Sequence, residues 1–169
     1  MNKNTKLIVV LDNIRSAWNV GSIFRTCDAI GADIILIGYT PTPTGKTLPL
    51  INKTAIGAEN NINWKHFNHY QEVLSLYKDG LHLGIEISET SKNIFEYIKE
   101  SPILENNIYL WFGNEIHGLE DTLQKQLNGI LHLPMEGKKE SLNVSSCVCA
   151  TGYLFKFGGV LPQYPQTHS

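Results

Sequence analysis

Apolar positions along this chain follow two alternating rhythms. Short unbroken apolar runs, as expected of strands buried on both faces, are separated by stretches where apolar positions recur every three or four residues. Residues 7–11, 34–37 and 108–112 are runs of the first kind, and residues 62–67, 81–87 and 130–133 read as further strands. Ile23, Phe24, Cys27 and Ile30 carry helical spacing, and Gly31 follows where a helix end takes a glycine. Shorter helices are predicted over residues 51–58, 70–78 and 94–99, a helix start lies within 113–121, and a last helix occupies the apolar segment from Cys147. Strands alternating with helices predict an α/β fold, a single domain with a mostly parallel sheet flanked by helices.

Between these elements, two polar stretches stand out. Residues 38–49 form a long loop rich in Pro, Thr and Gly, and loops of that length in a compact domain are either functional or mobile. The strand ending at Leu133 is stopped by Pro134 and followed by Gly137, Lys138, Lys139 and Glu140. Ser141 then stands where a helix N-cap is expected. A strand end, a loop and a helix start together offer free amides and carbonyls to a small polar ligand.

Composition narrows the class. A 169-residue chain with 42% hydrophobic and 18% charged residues is that of a one-domain globular protein. No apolar run approaches the roughly 20 residues of a membrane span, and the start of the chain lacks a signal-peptide core. The three cysteines are odd in number and lack metal-ligand spacing, which reads as core thiols in a cytoplasmic protein with neither metal nor membrane partner. The net charge of −2 is unevenly spread, with six basic against three acidic residues in 1–58 and eight against thirteen beyond. A locally basic half can bind a polyanion, though with modest reach.

Three segments at strand ends or helix starts carry the candidate chemistry, where α/β sheets place ligands. The first is Asn19-Val-Gly-Ser-Ile-Phe-Arg25, in which Gly21 permits close backbone approach and Arg25 offers a phosphate or carboxylate five donors. Asn19 and Arg25 converge if a helix begins between them. The second is Trp111-Phe-Gly-Asn-Glu-Ile-His-Gly118, whose glycine spacing is not a dinucleotide fingerprint and whose Glu115 could pair with Arg25 or cap backbone amides. The third runs from Leu133-Pro-Met135 through Gly137 to Ser141-Leu-Asn-Val-Ser145.

In this order, the three resemble the signatures of the SpoU/TrmH family of RNA 2′-O-ribose methyltransferases in the SPOUT superfamily. N-x-G-x-x-x-R is met by Asn19, Gly21 and Arg25; F-G-x-E-x-x-G-L by Phe112, Gly113, Glu115, Gly118 and Leu119. I-P-M-x-G-x-x-x-S-L-N-V-S is met with Leu133 in place of isoleucine. The resemblance covers about residues 7–157 and implies a methyltransferase domain over 1–157 with a C-terminal tail, 158–169. It further implies a C-terminal trefoil knot, a homodimer joined through the first and last helices, and S-adenosylmethionine as cofactor. Donor-binding positions are then Ile85, Gly113, Gly118, Leu133, Ser141 and Leu142. Arg25 is the central catalytic residue, with Asn19, Glu115, Ser141 and Asn143 orienting it and the ribose. A guanidinium makes a poor base, so Arg25 is expected to position an RNA phosphate and stabilise the developing alkoxide, in its own or the partner's site. Arg15, Lys46 and Lys53, with the loop 40–49, are expected to grip tRNA or rRNA. Two readings compete: an RNA-binding or ribosome-assembly factor on the same fold without methyl transfer, and a knotted enzyme that methylates a base. The Asn19 and Arg25 pair, with Glu115 and Asn143, favours the ribose enzyme.

Overall fold

In the computed structural model, which describes residues 5–100 and 106–158, the apolar runs become the inner strands of one sheet. The strands are β1 (Lys6–Asp12), β2 (Asp33–Ile37), β3 (Trp64–Phe67), β4 (Leu81–Ile85), β5 (Lys92–Asn93), β6 (Asn107–Phe112) and β7 (Gly129–His132). They lie in the order β3-β2-β1-β6-β4-β7-β5, and every pairing is parallel. The helices are α1 (Ala17–Ile30), α2 (Leu48–Ala55), α3 (Tyr70–Leu76), α4 (Ile94–Glu100), α5 (Asp121–Gln124) and α6 (Val144–Phe157).

Side chains alternate across a strand, so β1 feeds two cores. Leu7, Val9 and Leu11 pack with Val20, Ile23, Phe24 and Cys27 of α1 and Phe155 of α6. Ile8 and Val10 pack on the other face with Val73, Tyr109, Trp111 and Leu123. Each of these fully buried aliphatic side chains contributes roughly 1.5–3 kcal/mol relative to exposure. On the second face His82 stacks on Tyr109 with ring centroids 4.4 Å apart and accepts the Trp111 indole N–H at 3.1 Å. Its Nε2 meets the Tyr77 carbonyl at 2.9 Å, and burial lowers its pKa, so the ring is held neutral as the Nε2–H tautomer. Cys27 is buried and Cys147 and Cys149 are half-buried, all as free thiols, in keeping with the core-thiol reading.

The chain leaves β1 toward β2 and leaves β6 toward β7, in opposite directions along the sheet. That reversal opens a crevice beyond the C-terminal ends of the central strands, which is where an open parallel sheet receives a ligand. Helices α1, α2, α4 and α6 cover the large core, and glycines set the close approach of α1 to its neighbours. A Cβ on Gly21 would lie 2.2 Å from Thr54 Oγ1 and 2.3 Å from the Ile51 carbonyl, so α1 and α2 touch there. Gly21 thus serves helix packing.

Several element bounds differ from expectation. α2 begins at Leu48, three residues earlier than the spacing predicts, because Pro49 is tolerated in a first helical turn. It ends at Ile56, whose φ of 51° breaks the helix. β4 stops at Ile85, two residues earlier than expected, although the Glu86 amide still donates to the Leu131 carbonyl of β7 at 2.9 Å. β5 has two polar residues, too few for any periodicity to register. The methyltransferase domain was expected to end at residue 157, which is the last residue of α6; the tail beyond Gly158 lies outside the described residues.

Candidate functional site

A cavity of about 420 Å³ opens beyond the C-terminal ends of β4, β6 and β7. After β4 it is walled by Ile85, Glu86 and Ile87; after β6 by Phe112 through Ile116; after β7 by His132, Leu133 and Met135. The approach to α6 closes the fourth side with Ser141, Leu142, Asn143, Val144 and Cys147. Five of the expected donor-binding residues, Ile85, Gly113, Leu133, Ser141 and Leu142, are therefore in the wall. Gly118 stands behind it. A Cβ on Gly113 would lie 2.2 Å from the Gly118 carbonyl carbon and 2.3 Å from the Leu119 nitrogen, so the two glycines let the loop fold flat on itself.

One lip of the cavity is a hydrogen-bonded cluster drawn from all three motifs. Glu115 Oε2 accepts the Arg15 amide at 2.9 Å, and its Oε1 accepts the Ser16 amide and Asn19 Nδ2, each at 3.2 Å. Asn143 Nδ2 donates to Asn19 Oδ1 at 3.2 Å. Partial burial alone would raise the Glu115 carboxyl; the amides of Arg15 and Ser16 and the Asn19 side chain outweigh it and hold the group below its ordinary value. Of the two partners open to Glu115, backbone amides are the ones it takes. The carboxylate thereby ties the loop after β6 to the entry of α1, where Ser16 caps the helix by accepting the Asn19 amide at 3.2 Å.

Ser141 was expected as the N-cap of the last helix, and the structure corrects this. α6 begins at Val144 and Asn143 is its cap, accepting the Ser145 amide at 2.9 Å and the Ser145 hydroxyl at 2.6 Å. Asparagine and serine cap equally well, and the adjacent Leu142 gives no periodic clue to the boundary.

Arg25 lies elsewhere. α1 starts before Asn19, not between Asn19 and Arg25, and six residues of helix set the two side chains about 120° apart and about 9 Å along the axis. The expected convergence within one chain does not occur. Arg25 instead lines a second recess, of about 420 Å³, with Ser22 and Thr26 of α1, Lys53 and Thr54 of α2, and Cys149 and Tyr153 of α6. Among the described residues neither Arg25 nor Lys53 makes a salt bridge. Arg15 and Lys46 are exposed on other parts of the surface.

Residues 6–153 match the profile of the SpoU rRNA methylase family. The chain belongs to that family. It is 28% identical over 140 residues to the 23S rRNA (guanosine-2′-O-)-methyltransferase RlmB of Xanthomonas axonopodis pv. citri, an alignment that takes in 82% of this chain and 53% of that one. It is 27% identical over 157 residues to the tRNA (guanosine(18)-2′-O)-methyltransferase of Thermus thermophilus, covering 89% of this chain and 73% of the relative. This chain thus spans 53% of the first relative's length and 73% of the second's. Its fold is similar to that of an AdoMet-bound rRNA methyltransferase from Sinorhizobium meliloti, with a TM-score of 0.78 at 22% identity over 94% of this chain and 58% of that one. A structure solved to explain 2-OH methylation of C/U34 on tRNA is similar over 92% of this chain and 99% of its own, with a TM-score of 0.77 at 21% identity. At such identities the structural likeness speaks for the fold.

Within this family frame, several contacts at the site were not anticipated. Glu86 accepts the Ile87 amide at 3.0 Å and the Leu119 amide at 3.1 Å, bracing the cavity's base against the second motif. Asn114, inside that motif, accepts the amides of Ile116 at 2.9 Å and His117 at 3.1 Å, and donates to the Asn13 carbonyl at 2.8 Å. A charged residue directly after a buried strand was the available signal for Glu86. Asp12, at the end of β1, is pushed up to about 6 by burial and then by the nearby charge of Glu120. His66 and His69 are exposed, and among the described residues no group of side chains is arranged to hold a metal ion.

Proposed function

We propose that this chain transfers a methyl group from S-adenosylmethionine to a ribose 2′-hydroxyl of tRNA or rRNA, acting as a homodimer in the cytoplasm. The observation that carries the reading is the cluster of Asn19, Glu115 and Asn143, one residue from each motif, hydrogen-bonded on the lip of a cavity at the strand ends. Both relatives described above are named as RNA 2′-O-methyltransferases, which supports the same chemistry here.

The cavity suits the cofactor on its own terms. Its volume falls in the roughly 300–1,000 Å³ range of small-molecule sites. Its wall exposes the apolar side chains of Ile87, Ile116 and Leu142, ready to cover a flat ring, beside backbone at Gly113 and Leu133 free to meet polar edges. Ile85, Gly113, Leu133, Ser141 and Leu142 would hold the donor, with Gly118 keeping the loop flat. When bound, S-adenosylmethionine supplies an electrophilic methyl group on a sulfonium. The residues of the chain supply position and charge: Asn19, Glu115 and Asn143 fix the lip over which a ribose enters, and Ser141 lies beside it.

Arg25 acts from the dimer interface. Its recess is lined by exposed Ile56 and Tyr153, and exposed Trp18 and Phe157 stand on the same helices, α1 and α6, an apolar surface suited to a second copy of this chain. Packing that copy against α1 and α6 brings Arg25 to the partner's lip. There its guanidinium binds an RNA phosphate and stabilises the alkoxide that forms as the hydroxyl loses its proton. Lys53 in the same recess, with Arg15 and Lys46, extends the phosphate grip.

The test is transfer of label from S-adenosylmethionine to total RNA from a strain lacking this protein, with digestion to nucleosides. A 2′-O-methylated nucleoside formed by the wild type and not by Arg25→Ala supports the reading. Absence of donor binding leaves the RNA-binding factor, and label on a base gives the other knotted chemistry.

A further inference from the structure

Tyr39 is 61% exposed and yet held at both its backbone and its hydroxyl. Its hydroxyl accepts Asn114 Nδ2 at 2.8 Å, and its amide donates to Asn13 Oδ1 at 3.3 Å. Asn114 is only 8% exposed and lines the donor cavity, so the ring is anchored one side chain away from that wall. Asn13 is one of two non-glycine residues with a left-handed backbone among those described, at φ 55°, a turn conformation that asparagine takes readily and that sets its side chain toward the Tyr39 amide. Thr40, on the other side of Tyr39, is buried with its hydroxyl bonded to the Ile37 carbonyl at 2.7 Å and the Leu11 carbonyl at 3.1 Å. The chain therefore holds this one ring with a turn asparagine, a buried amide and a buried hydroxyl. No other aromatic ring among the described residues packs on it.

An exposed aromatic face held still is what a nucleobase stacks on, and a ring already ordered loses little entropy in binding. Arg15, two residues beyond Asn13, and Lys46, on the same loop as Tyr39, are exposed cations that can take the flanking phosphates. We propose that Tyr39 is a stacking platform for a base of the RNA strand at the active site. This rests on the RNA-modifying function proposed above. Tyr39 is a binding residue; Asn13 and Asn114 position it.

The experiment uses the full chain and a short single-stranded RNA carrying 2-aminopurine, whose fluorescence is quenched by stacking. Expected are quenching by the wild type, an affinity roughly tenfold weaker for Tyr39→Leu, and recovery in Tyr39→Phe and Tyr39→Trp, which keep a ring. S-adenosylmethionine affinity stays unchanged throughout. A Tyr39→Leu protein that quenches like the wild type overturns the proposal, as does Tyr39→Phe failing as badly as Tyr39→Leu, since the hydroxyl would then matter only as a loop staple. Should Tyr39→Leu not fold, the indole emission that Tyr39→Trp adds must be quenched by unlabelled RNA, and no quenching overturns the idea. Stacking is read without methyl transfer. Quenching by a wild type that methylates no RNA would therefore sink the enzyme reading and leave the platform standing.

Discussion

The lip of the strand-end cavity joins all three family motifs, whereas the Arg25 recess takes Ser22 and Arg25 from the first and the rest of its wall from outside them, and the two differ in how far they are completed within one chain. On the lip, Asn19, Glu115 and Asn143 have taken one another and the Arg15 and Ser16 amides as partners. In the recess, Arg25 and Lys53 face outward among exposed apolar side chains and make no salt bridge among the described residues. A site finished in one place and open in another divides its labour. On the function proposed above, the lip would serve as a preformed shelf for the donor and ribose, and the recess would hold positive charge for groups that arrive with the RNA or a second subunit.

The largest test of this division is Arg25→Ala. Losing a group that stabilises transition-state charge lowers methyl transfer by about a hundredfold or more, while S-adenosylmethionine affinity measured by calorimetry stays as in the wild type. Parallel loss of donor binding would break the comparison. Mixing Arg25→Ala with Gly113→Ala subunits sharpens it: transfer returns only if Arg25 reaches the partner's cavity, since a site built within one chain is crippled in both proteins.

Gly113→Ala strikes the other region. Its Cβ would meet the Gly118 backbone at 2.2 Å, and a clash with backbone cannot be relieved by turning a side chain. Overpacking of this kind costs about 1–3 kcal/mol, so Tm and donor affinity fall together. The Arg25 recess is untouched, and RNA binding in the absence of donor should survive. Unchanged donor affinity would show that the loop after β6 is not part of the binding wall.

What could be read from the sequence divides along a physical line. The buried runs that became β1, β2, β6 and β7 were legible because a strand covered on both faces has no polar alternative. The three motifs marked the cavity because their glycines and Pro134 punctuate strand ends. Pairing across space was not legible. Periodicity gives the face a residue occupies on its own element and says nothing of what lies opposite, so Arg25 was placed beside Asn19 when α1 turns it away. Glu115 showed its two possible partners and not the choice, which depends on the Arg15 and Ser16 amides lying within reach. Asn13 and Asn114 passed unnoticed because an asparagine in a turn is ordinary until its bonds are counted.

The N-cap offers a smaller test. Asn143→Ala removes the bond to the Ser145 amide and the link to Asn19, and loss of a cap costs about 1 kcal/mol. Ser141→Ala, outside the helix, should leave the denaturation midpoint nearly unmoved. Equal losses from the two would return the cap to Ser141 and detach the lip from α6.

The smallest expected effect concerns the charge on Glu115, a side chain that joins the second motif to the entry of the helix bearing Arg25. Its pKa is held below the ordinary glutamate value in the folded protein, so its contribution to stability is present above that range and is lost as pH falls through the folded value. Two other groups titrate nearby with their own signs. Asp12, raised to about 6, contributes stability below the ordinary aspartate range that is lost as pH rises through about 6. His82, lowered by burial, withdraws stability as pH falls below the ordinary histidine value, because the unfolded ring takes a proton that the folded ring refuses. Both are present in the wild type and in Glu115→Gln, and they cancel when the two proteins are compared at the same pH. The difference in Tm should favour the wild type at neutral pH and shrink as acid neutralises the carboxylate. Glu115 is largely exposed, so solvent screening keeps the gap below about 1 kcal/mol. A gap that persists unchanged into acid would mean that shape and not charge holds the loop to α1, and the lip would then be no better ordered electrostatically than the recess.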